Sequence, residues 1–91
     1  MKLIEVVKPL HYEFTVGELS FRASAFNDDH TVFDVMDAGG LKVGEFDAWM
    51  EGDDIQYRDK GQYNDTLERL RKTGDSSQIA ANIRKTLKSA A

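Results

Sequence analysis

The 91-residue sequence contains no cysteine, one proline, one tryptophan and two histidines. The missing cysteine excludes a disulfide framework, a thiolate zinc site and a cysteine nucleophile, and it fits a reducing compartment. Only His11 and His30 can supply an imidazole base. His11 falls on the polar side of an alternating run and His30 in a turn cluster. No G-x-S-x-G elbow surrounds Ser20, Ser24, Ser76, Ser77 or Ser89, so nucleophilic catalysis lacks its nucleophile–base pair. No apolar run approaches the ~18–20 residues that span a bilayer. The opening stretch, residues 1–7, is interrupted by Glu5 and closed by Lys8-Pro9, unlike the apolar core of a signal peptide. Gly39-Gly40-Leu41-Lys42-Val43-Gly44 is rich in glycine but lacks the Lys-Ser/Thr of a phosphate loop and opens no helix.

Metal binding has one candidate, Asp28, Asp29 and His30, with Asp34 or His11 brought near by hairpin pairing. Carboxylates and imidazole suit Mg, Mn or Zn. The spacing matches no EF-hand, because Ile55 follows Asp53-Asp54 where a ligand is required, and a solvated turn explains Asp28-Asp29 better. The expectation is a protein that is not an enzyme, holds no metal or cofactor and works in the cytoplasm.

What is present suffices for one small domain. Hydrophobic residues make up 41% of the chain and include nine aromatics, too rich for a disordered segment. A chain of this size buries only about 60–65% of its unfolded surface, so its core tolerates few losses.

Residues 1–59 read as strands and residues 63–90 as a helical hairpin. Leu3-Ile4-Glu5-Val6-Val7 is β-prone and stops before Pro9, which cannot donate to a ladder. Leu10, Tyr12, Phe14 and Val16 alternate with His11, Glu13 and Thr15, the clearest period of two in the chain. Gly17-Glu18 turns into Leu19, Phe21, Ala23 and Ala25, alternating with Ser20, Arg22 and Ser24. Asn27-Asp28-Asp29-His30 is a turn, residues 31–36 form a third strand, and Ala38-Gly39-Gly40 turns into Leu41-Lys42-Val43. Beyond Gly44 the pattern divides. Phe46, Ala48 and Met50 fit a strand of opposite parity with Gly44 as a bulge, whereas Phe46, Trp49 and Met50 fit one face of a short helix ended by Gly52. The strand is preferred, because Glu51-Gly52-Asp53-Asp54 then turns into Ile55-Gln56-Tyr57 as its hairpin partner.

Asp65-Thr66-Leu67-Glu68 has the form of a capping box, and Tyr63, Leu67 and Leu70 make an apolar stripe. Gly74 stands at the C-cap, with Arg71-Lys72 complementing the negative end of the dipole. Asp75-Ser76-Ser77-Gln78 offers a second box. Ile79, Ala80, Ile83 and Leu87 then share one face, opposite Gln78, Asn82, Lys85 and Ser89. The fold class is therefore α+β: an antiparallel meander of four to six strands with two C-terminal helices on one face.

Charge is divided along the same line. Residues 1–59 carry 13 acids against five bases, and residues 60–91 carry seven bases against three acids. Residues 28–59 alone hold ten acids against Lys42 and Arg58, whereas residues 1–27 are neutral. An aromatic inside an acidic rim is the anatomy of a binding hot spot. Asp47, Trp49, Glu51, Asp53, Asp54 and Tyr57 are accordingly the candidate partner-binding residues, for a protein with a basic surface. That surface can itself be one built to hold nucleic acid. Arg69, Arg71, Lys72, Arg84, Lys85 and Lys88 are the alternative: a helical face that contacts nucleic acid. No recognition-helix pattern or stacking platform accompanies them, and several sit where they offset helix dipoles. A third reading is a structural protein that self-associates as a homodimer or head to tail. In size, cysteine lack and acidity the chain resembles small phage- or mobile-element-encoded inhibitors of the anti-CRISPR and anti-restriction type. That likeness of composition implies a non-enzymatic inhibitor that occupies a basic surface.

Overall fold

The computed structural model describes residues 10–27 and 29–90, with the side chain of residue 90 also outside the description. Five strands, β1 (Glu13–Val16), β2 (Leu19–Asn27), β3 (His30–Met36), β4 (Lys42–Glu51) and β5 (Asp54–Asp59), precede α1 (Thr66–Arg71) and α2 (Ser76–Ala90). The strands follow one another in a single antiparallel sheet of order β1-β2-β3-β4-β5, and both helices cover one face of it. The expected α+β meander is thus the observed one. The expected strand at Leu3–Val7 and the residue Asp28 lie outside the described residues.

One ring from each strand builds the core under the helices. Phe14 stacks on Phe21 with centroids 4.8 Å apart, and meets Phe33 edge-on at 6.2 Å. Phe33 stacks on Phe46 at 5.4 Å, and Phe46 meets Tyr57 edge-on at 6.1 Å. Phe21, Phe33 and Phe46 are fully buried, each contributing about 1.5–3 kcal/mol of transfer free energy. Ile79, Ile83 and Leu87, at helical spacing on α2, close the core from the other side.

Two bulges set the parity of the sheet. In β2, Ala23 pairs with Phe33 but Ala25 pairs with Val32, leaving Ser24 as the extra residue. Cross-strand partners share a face, so Ala25 turns away from the core and Phe26 takes the inner position. The expected inward placement of Ala25 is corrected accordingly. In β4, Val35 pairs with Gly44 and Met36 with Lys42, so Val43 is the extra residue. Parity therefore changes at this point, one residue before the expected bulge, since Gly44 is itself paired; Phe46, Ala48 and Met50 point inward along a strand, as the preferred reading has it. Gly44 is required here for close approach: a Cβ on it would lie 2.5 Å from Thr66 Cγ2.

The first strand is shorter than its alternation suggests. It opens at Glu13. Leu10 is 90% exposed, and Tyr12 extends the ladder by accepting a bond from the Ala23 N–H at 2.7 Å. The capping box at Asp65 is also corrected. Asp65 has φ −110° and ψ 10° and makes no side-chain cap bond, because an N-cap needs extended backbone to reach the free N–H groups. Its carboxylate instead pairs with Arg69 Nε at 2.9 Å. The first turn of α1 is capped from the sheet, where Asp59 Oδ1 accepts the Leu67 N–H at 2.9 Å. Thr66, buried on the sheet, donates to Tyr63 O at 2.8 Å and accepts from the Glu45 N–H at 3.3 Å. On α2, fully buried Thr86 ties the helix to the carbonyl of His11 ahead of β1.

Candidate interaction surface

The face of the sheet away from the helices is a lattice of charges. Alternation brings Asp34 of β3, Glu45, Asp47 and Trp49 of β4, and Arg58 of β5 to this face. Lys42 Nζ bridges Glu45 Oε2 at 2.9 Å and Asp34 Oδ1 at 3.2 Å. The hydrogen bond to Glu45, with the Asp34 carboxylate adding to it, outweighs desolvation and raises the Lys42 pKa above its ordinary value. Its ammonium also lies 5.4 Å from the centre of the Tyr63 ring. Asp47 is only 3% exposed. Arg58 Nη2 donates to it at 3.0 Å, Lys60 Nζ lies 3.8 Å away and His30 Nδ1 4.0 Å. A carboxylate so withdrawn from water needs such partners.

Trp49 is half-buried beside this cluster. His30 stacks on it at 4.4 Å with planes 10° apart, and the Arg58 guanidinium lies 5.9 Å from its ring centre. Trp49 is thus neither core nor freely exposed: it is held by two cation-capable side chains that also reach Asp47. Contacts of this kind fix a ring's orientation.

Among the described residues of the acidic segment, 29–59, the acids that remain in water gather at one end of the sheet. Glu51, Asp53 and Asp54 are exposed at the β4–β5 turn, where Gly52 supplies φ +63°. Glu51 stands directly opposite Asp54 in the last rung of the hairpin. No cation pairs with any of the three among the described residues. Asp29, also exposed, lies at the same end in the β2–β3 turn, 3.6 Å from His30 Nε2.

Of the six residues expected to bind a partner, five therefore share a region. Asp47 and Trp49 lie on the outer face, and Glu51, Asp53 and Asp54 at the adjoining tip. Tyr57 does not join them. It pairs with Ala48 on the inner face and borders the cleft between sheet and helices. Burial pushes its hydroxyl above the usual phenol pKa, against the pull of Arg84 and Arg71. The expected basic face is divided as well. Arg69 pairs with Asp65, and Lys72 with Glu68 at 3.5 Å, along the surface of α1. Arg71 borders the cleft, while Arg84, Lys85 and Lys88 line an open groove along α2.

His30, read from the sequence as a turn residue and metal candidate, and Arg58, assigned to no site, both belong to this region. The signal that places them is the register Asp47↔Arg58 and Thr31↔Ala48, which follows from the hairpins. Among the described residues no group of three His, Asp or Glu is arranged to hold a metal ion. No described helix is long and apolar enough to cross a membrane. No protein-family model, curated protein or solved structure matches the chain.

Proposed function

We propose that the protein is a non-enzymatic, cytoplasmic binding module that docks its acidic hairpin tip and the adjoining Trp49 on a basic surface of a protein partner. One observation carries this reading. Glu51 and Asp54 oppose each other across a rung, with Asp53 between them and no cation paired with any of the three among the described residues. Like charges directly opposite one another destabilise a sheet. The same chain neutralises Asp34, Glu45 and Asp47 by close pairing. A tip left negative beside such careful pairing suits the attraction of a cationic partner, where complementary potential raises the on-rate and selects against wrong partners. A partner surface built to hold nucleic acid fits this role, as in the phage-borne inhibitors that the composition resembles.

The test is a pull-down from native lysate with the full chain and with the triple variant Glu51→Lys, Asp53→Lys, Asp54→Lys. Asp47 is kept, since it is buried. The expected result is a partner that binds the wild type, is released by added salt or competing nucleic acid, and is lost in the triple variant. A partner retained by the triple variant at equal strength refutes the reading. Self-association through the same tip would show as a salt-dependent increase in size with concentration in light scattering.

A further inference from the structure

A cleft of about 290 Å³ opens between the sheet and the helices. Its floor is Phe46 and Tyr57, and its walls are Leu67 and Leu70 of α1 and Ile83 of α2. The space exists because α2 presents Ala80 there, between Ile79 and Ile83, where a larger residue would fill it. Its volume lies just below the about 300–1,000 Å³ usual for ligand pockets, which limits an occupant to one short chain or ring.

The rim carries charge of one sign. Arg71 borders the cleft, and Arg84 stands one turn beyond Ala80 on the neighbouring groove, which shares Ala80 with the cleft. Arg69 and Lys72, on either side of Arg71, are paired with carboxylates, but Arg71 and Arg84 have no acidic partner among the described residues. The half-buried Tyr57 hydroxyl likewise has no hydrogen-bond partner there. An apolar pocket with Arg71 on its rim and Arg84 on the adjoining groove, both near enough to the Tyr57 hydroxyl to act on its charge, is complementary to an amphiphilic anion. Arginine's planar fork pairs bidentately with a carboxylate, the smallest such head group for a cleft of this size.

We infer that this cleft binds a small acyl carboxylate, its tail among Phe46, Leu67, Leu70 and Ile83 and its head held by Arg71, Arg84 and the Tyr57 hydroxyl. Burial keeps that hydroxyl protonated well past neutrality, so it remains a donor to the head group. The site lies on the opposite face of the sheet from the acidic surface and does not depend on the function proposed for it.

The test titrates octanoate, octanol and octylammonium into the full chain and follows amide NMR shifts. Octanoate is expected to saturate a site centred on Phe46, Leu67 and Ile83, at least about tenfold tighter than octanol, with octylammonium weakest. The double variant Arg71→Gln, Arg84→Gln should bring octanoate down to the octanol level and leave octanol binding unchanged. Ala80→Met should close the site to both, with circular dichroism checking the fold. If that variant does not fold, the arginine variant decides alone. The inference is overturned if octanoate gives no saturable shifts, if octylammonium binds as well as octanoate, or if the arginine variant binds octanoate like the wild type.

Discussion

Gly44→Ala should be among the most damaging single-methyl changes in this protein. The new Cβ would lie 2.5 Å from Thr66 Cγ2 and 2.9 Å from Thr66 Oγ1, where carbon atoms settle at about 3.5–4.0 Å. Thr66 is 3% exposed and cannot simply swing into solvent. If it rotates, it gives up the bonds to Tyr63 O and from the Glu45 N–H. If α1 moves instead, the Asp59 cap on Leu67 is strained. Overpacking of about 1–3 kcal/mol, with about 1 kcal/mol for a lost hydrogen bond, gives a cost of about 2–4 kcal/mol. Total stability for a chain of this length is roughly 5–14 kcal/mol, so the loss is large. Urea titration followed by Trp49 fluorescence and by circular dichroism measures it, with coincident transitions as the check on two-state unfolding. Thr66→Ala supplies the control, because it removes Cγ2 and leaves only the Cβ, 3.3 Å from the new methyl. The double variant should cost about 1–3 kcal/mol less than the sum of the singles. A Gly44→Ala cost below about 0.5 kcal/mol, the range of ordinary surface changes, refutes the reasoning. So does strict additivity in the cycle.

The α1 cap gives a direct contrast: Asp59→Ala should cost about 1 kcal/mol, the usual loss of an N-cap. Asp65→Ala, which loses only an exposed pair with Arg69, should cost at most about 0.5 kcal/mol by the same urea titration. Asp47→Ala should cost about 1–3 kcal/mol, less than a wholly buried pair, because Arg58 is 65% exposed and regains water when its partner is removed. At alkaline pH, Lys42 and Tyr57 both hold their protons longer in the folded chain than in the unfolded one. The stability tied to those protons is fully present below the unfolded phenol value of 10.0 and is lost as pH rises through the folded values. Urea midpoints measured from about pH 9 to 11 should therefore fall, and Tyr57→Phe should flatten part of that fall. Glu51→Lys turns the repulsive last rung into an attractive one, so it should raise stability by about 0.2–1 kcal/mol. A loss of stability in that variant would mean that the tip acids are structural, and would remove the main support for a docking role.

Most of the fold was legible because period-two alternation survives wherever one face of a strand is buried. Tyr12, Phe14 and Val16, and Leu19, Phe21 and Ala23, announced their faces correctly. The ambiguity after Gly44 had a physical source. The extra residue Val43 shifts the parity of β4, and the spacing of Phe46, Trp49 and Met50 then imitates a helical stripe. In the strand, Phe46 and Met50 point to the core while Trp49 lies on the other face, beside His30. Ser24 hid the outward turn of Ala25 in the same way. The cap on α1 was not legible, because its donor site lies at Leu67 and its acceptor on β5. Asp65 offered a local pattern that looked sufficient, whereas the carboxylate that caps the helix arrives through tertiary packing.

The acidic segment shows why closeness in sequence is a poor guide to a surface. Ten acids between residues 28 and 59 suggested one broad negative face, but the sheet assigns separate tasks to several of those described. Asp34 and Glu45 share Lys42, Asp47 gathers Arg58 and Lys60, and Asp59 caps a helix. Asp37 accepts the N–H groups of Gly39 and Leu41 in its own turn. Each of these carboxylates is accounted for by a bond that holds the fold. Tyr57 leaves the group by parity, since it is an even number of places from Phe46 across the register and so faces the helices with it. Glu51, Asp53 and Asp54 are the acids of the segment that, among the described residues, have neither a side-chain hydrogen bond nor an ion pair to explain them. Their repulsion subtracts from stability in a chain too small to have much to spare. A feature that weakens the fold needs a reason outside it, and the proposed docking on a cationic partner would supply one.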